Sequence, residues 1–483
     1  MMKNSGLKMS WTIKQRVPAI LAVLALSAWM GCASSPIATD TYYVNASGDD
    51  ERDGLSVESA FRTLKKALGA AREEGAHKII TVIGTLNADS EGASEGSSIF
   101  EVRNTGDAVI TIRGTSSAKL SALNSGKRVL QLFGNVRLRL EHIEVSGGSI
   151  ADPDITRGGG GGALVANGAA LILGNAAVIR DNRAQAGGGV VVGNKDSSFI
   201  LEGGEVRENS SASDGGGILA ILEGSVKIAA GRVANNTAAA QGGGISVGAD
   251  AVISVEGGEI SGNQAADGGG LHIIGSAAMQ GGRVGGNQAA DNGGGAYLSG
   301  NGVFTLSGGE ILDNRAGASG GGVAVYEGNF AMQDGSVSGN SAFSDTGTGG
   351  GVFVIRGSFE LSGGRISGNM ANNSGGGVNA NHDSIFAMSG GEIAGNRAVY
   401  GGAAVAVLGE NNSFKKSGGI IYGTDAEKAL QNTNTQGGNS VDVTRNGDLR
   451  VALITEIKRR RNTTGPEVHL DSAKNGAEGG WEL

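Results

Sequence analysis

Apolar residues in this chain alternate with a period of two over short stretches, and the stretches recur. Val190 and Val192, Ile245 and Val247, Leu271 and Ile273, Val323 and Val325, and Val352 and Val354 are each separated by one other residue. The alternation returns at Phe304 and Leu306, Phe330 and Met332, Phe359 and Leu361, and Phe386 and Met388. A third apolar position lies in segments such as Glu259-Ile260-Ser261. Period two marks β-strands, and the units leave no room for a helix. The pattern predicts about three short strands per unit, joined by glycine-rich corners.

Two motifs punctuate these strands with one period. Glycine triplets open at Gly160, Gly187, Gly215, Gly242, Gly268, Gly293, Gly320, Gly349 and Gly375, with a degenerate copy at Gly401-Gly402-Ala403, at intervals of 25–29 residues. Out of phase runs I/V-x-x-N, whose asparagines are Asn182, Asn209, Asn236, Asn263, Asn287, Asn314, Asn340, Asn369 and Asn396. A single unit cannot bury its inward face, whereas stacked units can. The prediction is an all-β, single-stranded, right-handed parallel β-helix of about 12 coils, each of 24–29 residues. At about 4.8 Å per coil the rod would be roughly 55–60 Å long. A leucine-rich repeat shares the period and the asparagine, but leucine is sparse here and glycine stands where that fold needs helix formers.

The recurring residues have predicted structural roles. Glycine supplies corners that need positive φ or close coil contact. The asparagines are expected to stack as a ladder at one corner, each amide bonding the coils above and below. A second column reads Glu205, Arg232, Glu259, Arg283, Glu310, Ser336, Arg365, Glu392, alternating in sign over its first five members. Facing outward one above another, such residues would form a charge ladder worth about 0.2–1 kcal/mol per pair and would pin coil register. Glu256, three residues before Glu259, is expected to face the uncharged Ala229 and Gln280.

Composition narrows the class. Glycine accounts for 89 of 483 residues without a three-residue period, and prolines number four, which excludes collagen. The 39% hydrophobic content sits in regular runs, which argues against disorder. One cysteine excludes a disulfide scaffold, and a net charge of −8 argues against a nucleic-acid surface. Motifs such as GGGISV at Gly242 and EISGN at Glu259 resemble the repeats of polymorphic outer-membrane-protein-like, right-handed parallel β-helix proteins, over residues 158–423. Tyr42-Tyr43-Val44 followed by GDDERDGLSVESAFRTLKKAL resembles the opening of pectate-lyase-like β-helix proteins. Within it, Phe61, Leu64, Ala67, Leu68 and Ala71 trace a helical face, expected to cap the open end of the solenoid. Apolar strands at Val109–Ile112 and Val129–Val145 predict two or three divergent coils.

Lys3, Lys8, Lys14 and Arg16 precede the apolar run VPAILAVLALSAWM, which has the length of a signal-peptide core. It ends at Gly31-Cys32, resembling a bacterial lipobox; that resemblance implies lipidation of Cys32 and a membrane held through the lipid, at the outer membrane or cell surface. The expected organisation is a signal peptide (1–31), a lipid-proximal linker (32–41), cap and divergent coils (42–157), regular coils (158–423) and a C-terminal cap or tail (424–483). That tail carries a strand-like Leu449–Ile457 and the basic run Lys458-Arg459-Arg460-Arg461. It is too short for a membrane barrel of eight strands at about 10 residues each.

Candidate chemistry is sparse. Asp181, Glu208 and Asp313 share one turn position, but Asn235, Gly262 and Gly286 occupy it in the coils between. Asp214 and Asp267 precede their triplets with Gln241 between them. The histidines (His77, His142, His272, His382, His469) are scattered. Asp49, Asp50 and Asp53 read as a solvated turn rather than a calcium loop. A sugar subsite wants aromatics, and the candidates expected to be exposed are few: Tyr297, Phe353 and Tyr326. No catalytic, cofactor or metal site is predicted. The expectation is a non-enzymatic, monomeric surface or envelope scaffold that meets a host or envelope protein or a glycan and binds no nucleic acid. A pectate-lyase-like carbohydrate-active enzyme is the alternative.

Overall fold

The coil that starts at Gly242 shows how the sequence bends. Gly242 adopts φ +67°, and the chain then runs extended through Ile245–Val247 and Val252–Val255. Gly258 turns it at φ +74° into Glu259–Ser261. Gly262, at φ +66°, delivers Asn263 to the interior, and the two-residue strand Gln264–Ala265 leads to the next triplet. Most regular coils therefore have four strands, not three. The fourth escaped the sequence reading because two residues are too few to show a period.

The computed structural model describes residues 41–72, 78–92, 96–103, 109–154, 158–409, 411–422, 427–436, 441–443 and 481–482. They build an all-β parallel β-solenoid of about 12 turns. Strands that follow the triplets stack with Ser98–Arg103, Arg128–Phe133 and Val441–Val443 into a 13-stranded sheet, here the triplet sheet. The next two strands of each coil belong to a 26-stranded long sheet, and those after the asparagines form a 10-stranded short sheet. In two coils the long-sheet strands fuse, as Ser198–Arg207 and Ser225–Ala234, with register shifts between Leu201 and Glu205. Pairing between coils is parallel; Lys415–Lys416 meets Trp481–Glu482 in an antiparallel pair.

Inward positions stack like on like. Phe304, Phe330, Phe359, Phe386 and Phe414 form a continuous ring stack, with centroids 5.3, 5.0, 5.0 and 4.6 Å apart. Beside them Leu306, Met332, Leu361 and Met388 continue to Lys416, a buried amine whose pKa burial pushes down to about 8.

The asparagine ladder is present and buried. From Asn182 to Asn396 each Nδ2 donates to the Oδ1 of the next asparagine at 2.9–3.0 Å. Each Oδ1 from Asn209 onward also accepts the backbone N–H of the preceding asparagine, at 2.9–3.2 Å. A second Nδ2 proton reaches a strand carbonyl, as Asn287 does to Ile260 at 2.9 Å. The last rung is Asn432, which the sequence reading did not include because no I/V-x-x-N surrounds it.

The residue before each ladder asparagine from Asn182 to Asn396 is left-handed. Asp181, Glu208, Asn235 and Asp313 have φ of 55°, 56°, 55° and 56°, and Gly262, Gly286, Gly339, Gly368 and Gly395 lie between 64° and 66°. Aspartate, asparagine and glycine tolerate this region best. The column that resembled an interrupted acidic site is a conformational one.

At the N-terminal side, α1 (Leu64–Ala70) packs on strands Thr41–Asn45 and Ser98–Arg103. Thr63 caps it, accepting from the Lys66 N–H at 3.1 Å. The Leu64 and Lys65 amides donate to Glu91, 2.6 and 3.2 Å away, on a one-turn helix, Ala88–Glu91. The expected helical face shrinks to seven residues, with Leu64, Ala67 and Leu68 buried. The signal segment, Cys32, most of the linker, Leu449–Ile457 and the basic run Lys458–Arg461 lie outside the described residues.

Candidate functional site

The glycine triplets shape a groove. The first glycine of each is left-handed, which folds the chain back over the outer face of the strand that follows. A Cβ on Gly293 would lie 2.8 Å from the Tyr297 Cβ, and one on Gly349 would lie 2.8 Å from the Phe353 Cβ. The outward residue in mid-strand is thus walled on one side by its own triplet. In successive coils this column reads Leu164, Val191, Leu219, Ser246, His272, Tyr297, Ala324, Phe353 and Asn379. Its first three members join Ala186 in a small apolar cluster of their own. From Ser246 onward the lining turns polar and aromatic.

His272 is 1% exposed, held between Ser246 Oγ at Nδ1 (3.1 Å) and Ser299 Oγ at Nε2 (3.0 Å). Burial lowers its pKa to about 4, so the ring is neutral near pH 7. Tyr297 stacks on it at 5.6 Å and 22°, Tyr326 follows at 5.4 Å and 54°, and Phe353 at 5.5 Å and 43°. Tyr326 Oη donates to Asn292 Oδ1 at 3.2 Å, and Asn292 donates from N and Nδ2 to Asp267 Oδ1, both at 3.0 Å. Burial raises the Asp267 carboxyl, and burial together with Asp267 pushes the Tyr297 hydroxyl to about 12. Asn379, fully buried beside Phe353, donates to Ser374 Oγ at 3.0 Å and leaves Oδ1 without a partner. Sequence reading named Tyr297, Phe353 and Tyr326, and the structure brings all three together. It corrects one point: Phe353 is 4% exposed, because the triplet covers it. His272, Asn292 and Asn379 were missed, although every mid-strand member lies four residues after a first glycine.

The charged column has the predicted register: Glu205, Arg232, Glu259, Arg283, Glu310, Ser336, Arg365 and Glu392 face one another in sequence. Within it, ion pairs form at Arg232–Glu259 (3.2 Å) and Arg365–Glu392 (3.1 Å). Glu205 instead meets Arg207 at 2.9 Å, and Arg283 reaches Asp313 at 3.8 Å. Long exposed side chains choose among several partners, so an aligned column is not an unbroken chain of ion pairs. Glu256 also departs from expectation: Lys227 Nζ crosses diagonally to it at 2.8 Å.

A denser charge network on the long sheet was not foreseen. Arg139 bridges Glu141 (2.8 Å) and Glu202 (2.7 Å), while Arg113 also holds Glu141 at 2.8 Å. Glu144 lies between Lys119 (3.1 Å) and Arg180 (2.9 Å). Burial works to raise both glutamates, but their basic and hydroxyl partners outweigh it and hold them below the ordinary range. The signal was present in outward Arg113, Arg139 and Glu141 on strands of period two.

The other acidic candidates make local bonds. Asp50 accepts from Arg62 N and Thr63 N at 2.9 Å each, and Asp53 accepts from Leu55 N at 3.0 Å. Asp181 pairs with Arg180 and Glu208 with Arg207. Asp214 Oδ1 accepts the Gln241 N–H at 3.1 Å. Among the described residues no group of three His, Cys, Asp or Glu side chains could hold a metal ion. No protein-family model matches the chain, and no curated protein matches it.

Proposed function

We propose that the protein is a non-enzymatic, lipid-anchored exported protein that presents its β-helix at the cell envelope or surface, for adhesion or envelope interaction. The observation that carries this reading is the state of the outward carboxylates. Glu141 and Glu144 are locked to arginine or lysine and held ionised, and the Asp267 carboxylate is engaged by the Asn292 amide and backbone N–H. General acid–base hydrolysis of a glycoside needs two carboxyls with opposed protonation states flanking one bond. The regular repeats, similar to those of polymorphic outer-membrane-protein-like β-helices, and the segment ending at Cys32 support export and anchoring.

A carbohydrate-active enzyme is the second reading, and Asp267 favours it, being a carboxyl raised by burial beside aromatic rings. Two experiments test the primary reading. Cys32→Ser should move the protein from the membrane to the soluble fraction; a variant retained in the membrane with unchanged mobility would overturn the anchor. The purified protein should release no reducing ends or unsaturated sugars from a glycan panel, and turnover abolished by Asp267→Asn would establish the enzyme instead.

A further inference from the structure

We propose that the groove presenting Tyr297 and Tyr326, backed by the buried rings of His272 and Phe353 and with Asp267 and Asn292 on its wall, is a binding cleft for a neutral saccharide chain. The inference deepens the scaffold reading by naming the chemistry of the partner, and it rests on that reading. Three features point the same way.

The rings run along the solenoid axis in neighbouring coils, with centroids 5.4–5.6 Å apart. A pyranose in an extended chain spans the height of one coil, about 4.8 Å. Two successive sugars would therefore meet the half-exposed Tyr297 and Tyr326, which the covered His272 and Phe353 support from the neighbouring coils. The rings also tilt along the column, from 22° between His272 and Tyr297 to 54° between Tyr297 and Tyr326, which turns part of the tyrosine surface outward.

Polar groups without partners lie among the rings. The Tyr297 hydroxyl has no hydrogen-bond partner among the described residues, although the side chain is half-buried. Asn379 Oδ1 is buried and unsatisfied at the far end of the same column. Unpaired buried polar atoms are costly, and a hydroxyl-rich ligand supplies both donors and acceptors. The aliphatic stretch Leu164–Val191–Leu219 of the same column lacks such groups, which confines the cleft to the coils from Ser246 to Asn379.

Charge selects the class of sugar. Asp267, Asp291 and Glu327 act electrostatically on the two tyrosines, and Arg356 is the cation acting with them; it is paired to Glu327 at 2.8 Å. The surplus is negative, so uronate or sulfated chains are repelled and neutral ones are not.

Isothermal titration of the full chain with neutral hexasaccharides of glucose, xylose and N-acetylglucosamine, and with a galacturonate hexamer, tests the proposal. At least one neutral hexamer should bind and the galacturonate should not. Tyr297→Ala should weaken binding by about tenfold or more, and Tyr326→Phe, which keeps the ring and removes the Asn292 bond, by a few-fold, about a lost hydrogen bond. Glu360→Gln on the exposed long-sheet face should change nothing. The unfolding midpoint of Tyr326→Phe should match the parent, so its loss of affinity is not loss of fold. No neutral binding, tighter binding of galacturonate, or affinity indifferent to both tyrosine variants would overturn the cleft. A neutral hexamer that binds and is cleaved would leave the cleft standing and overturn the non-enzymatic reading. A cleft that fails while Cys32→Ser still frees the protein would overturn the cleft alone.

Discussion

The asparagine ladder and the charged column are built the same way. Each takes one residue per coil and sets it in register with its neighbours. The outcomes differ. Every consecutive pair of asparagines from Asn182 to Asn432 is bonded side chain to side chain at 2.9–3.0 Å. In the charged column Arg232–Glu259 and Arg365–Glu392 close, while Glu205 and Arg283 turn to partners outside it. Solvent is the difference. An amide shut away from water must be satisfied inside the protein, so its partners are fixed. A half-exposed charge can exchange a side-chain partner for water at little cost, and an aligned column then specifies little.

Asn287→Ala should give the largest effect. It strips the Oδ1 that receives both N and Nδ2 of Asn263 at 3.0 and 2.9 Å, and it removes the donor to Ile260 O. Two buried donors and a carbonyl are orphaned together, for a loss of about 3–5 kcal/mol in unfolding free energy. A loss below about 1 kcal/mol in urea unfolding would show that buried rungs are no more consequential than exposed pairs.

His272 tests whether burial, rather than facing inward, sets the stakes, because it points outward and is nonetheless covered. Its pKa is about 4 in the fold against 6.5 for the ordinary side chain. The unfolded chain therefore binds more protons between those values. Stability is complete above about pH 6.5 and falls as pH drops toward 4, by up to about 3 kcal/mol. Unfolding of the parent and of His272→Gln, followed from pH 7 to pH 4, should diverge in that sense. Parallel curves would mean the imidazole is wet.

Smaller effects are expected on the exposed column. Glu259→Arg replaces the pair with Arg232 by three stacked cations and should cost about 1 kcal/mol at low salt, less as salt screens it. Glu256→Arg confronts Lys227 and should cost a similar amount. Unfolding at low and high salt measures both; a Glu256→Arg variant as stable as the parent would show that the diagonal pair contributes nothing. Smallest of all, Glu208→Gly relieves a glutamate at φ 56° and should raise stability by about 0.5–1 kcal/mol, seen as a higher thermal midpoint.

Much of this architecture was legible because a solenoid turns spacing into position. Once the triplets and asparagines fix the coil length, register follows by counting, and Glu205 through Glu392 fell into line on that basis. The Asn263 and Phe330 columns were legible for the same reason. Three things were hidden. The two-residue strands, such as Gln264–Ala265, are too short to carry a period. The mixture of Asp181, Glu208, Asn235 and glycine looked like chemistry lost from a site, because composition does not display φ. The groove depends on how far a triplet folds over the next strand, and that depth decides that Phe353 is covered while Tyr297 and Tyr326 are half-open. His272 looked scattered because its partners, Ser246 and Ser299, are 26 and 27 residues away.

Along the chain the rungs of the asparagine ladder are unequally spaced. They stand 24 residues apart from Asn263 to Asn287, 29 from Asn340 to Asn369 and 36 from Asn396 to Asn432, yet the amide contact is 2.9 Å in all three. The stack measures height by contact and is indifferent to how much chain lies between contacts. In the 29-residue coil the surplus is taken up at Phe343–Thr348, where Gly347 N turns back to Ser344 O at 2.8 Å. Corners of different length therefore coexist within one solenoid, changing what the outer wall displays while the inner thread keeps every coil at the same level.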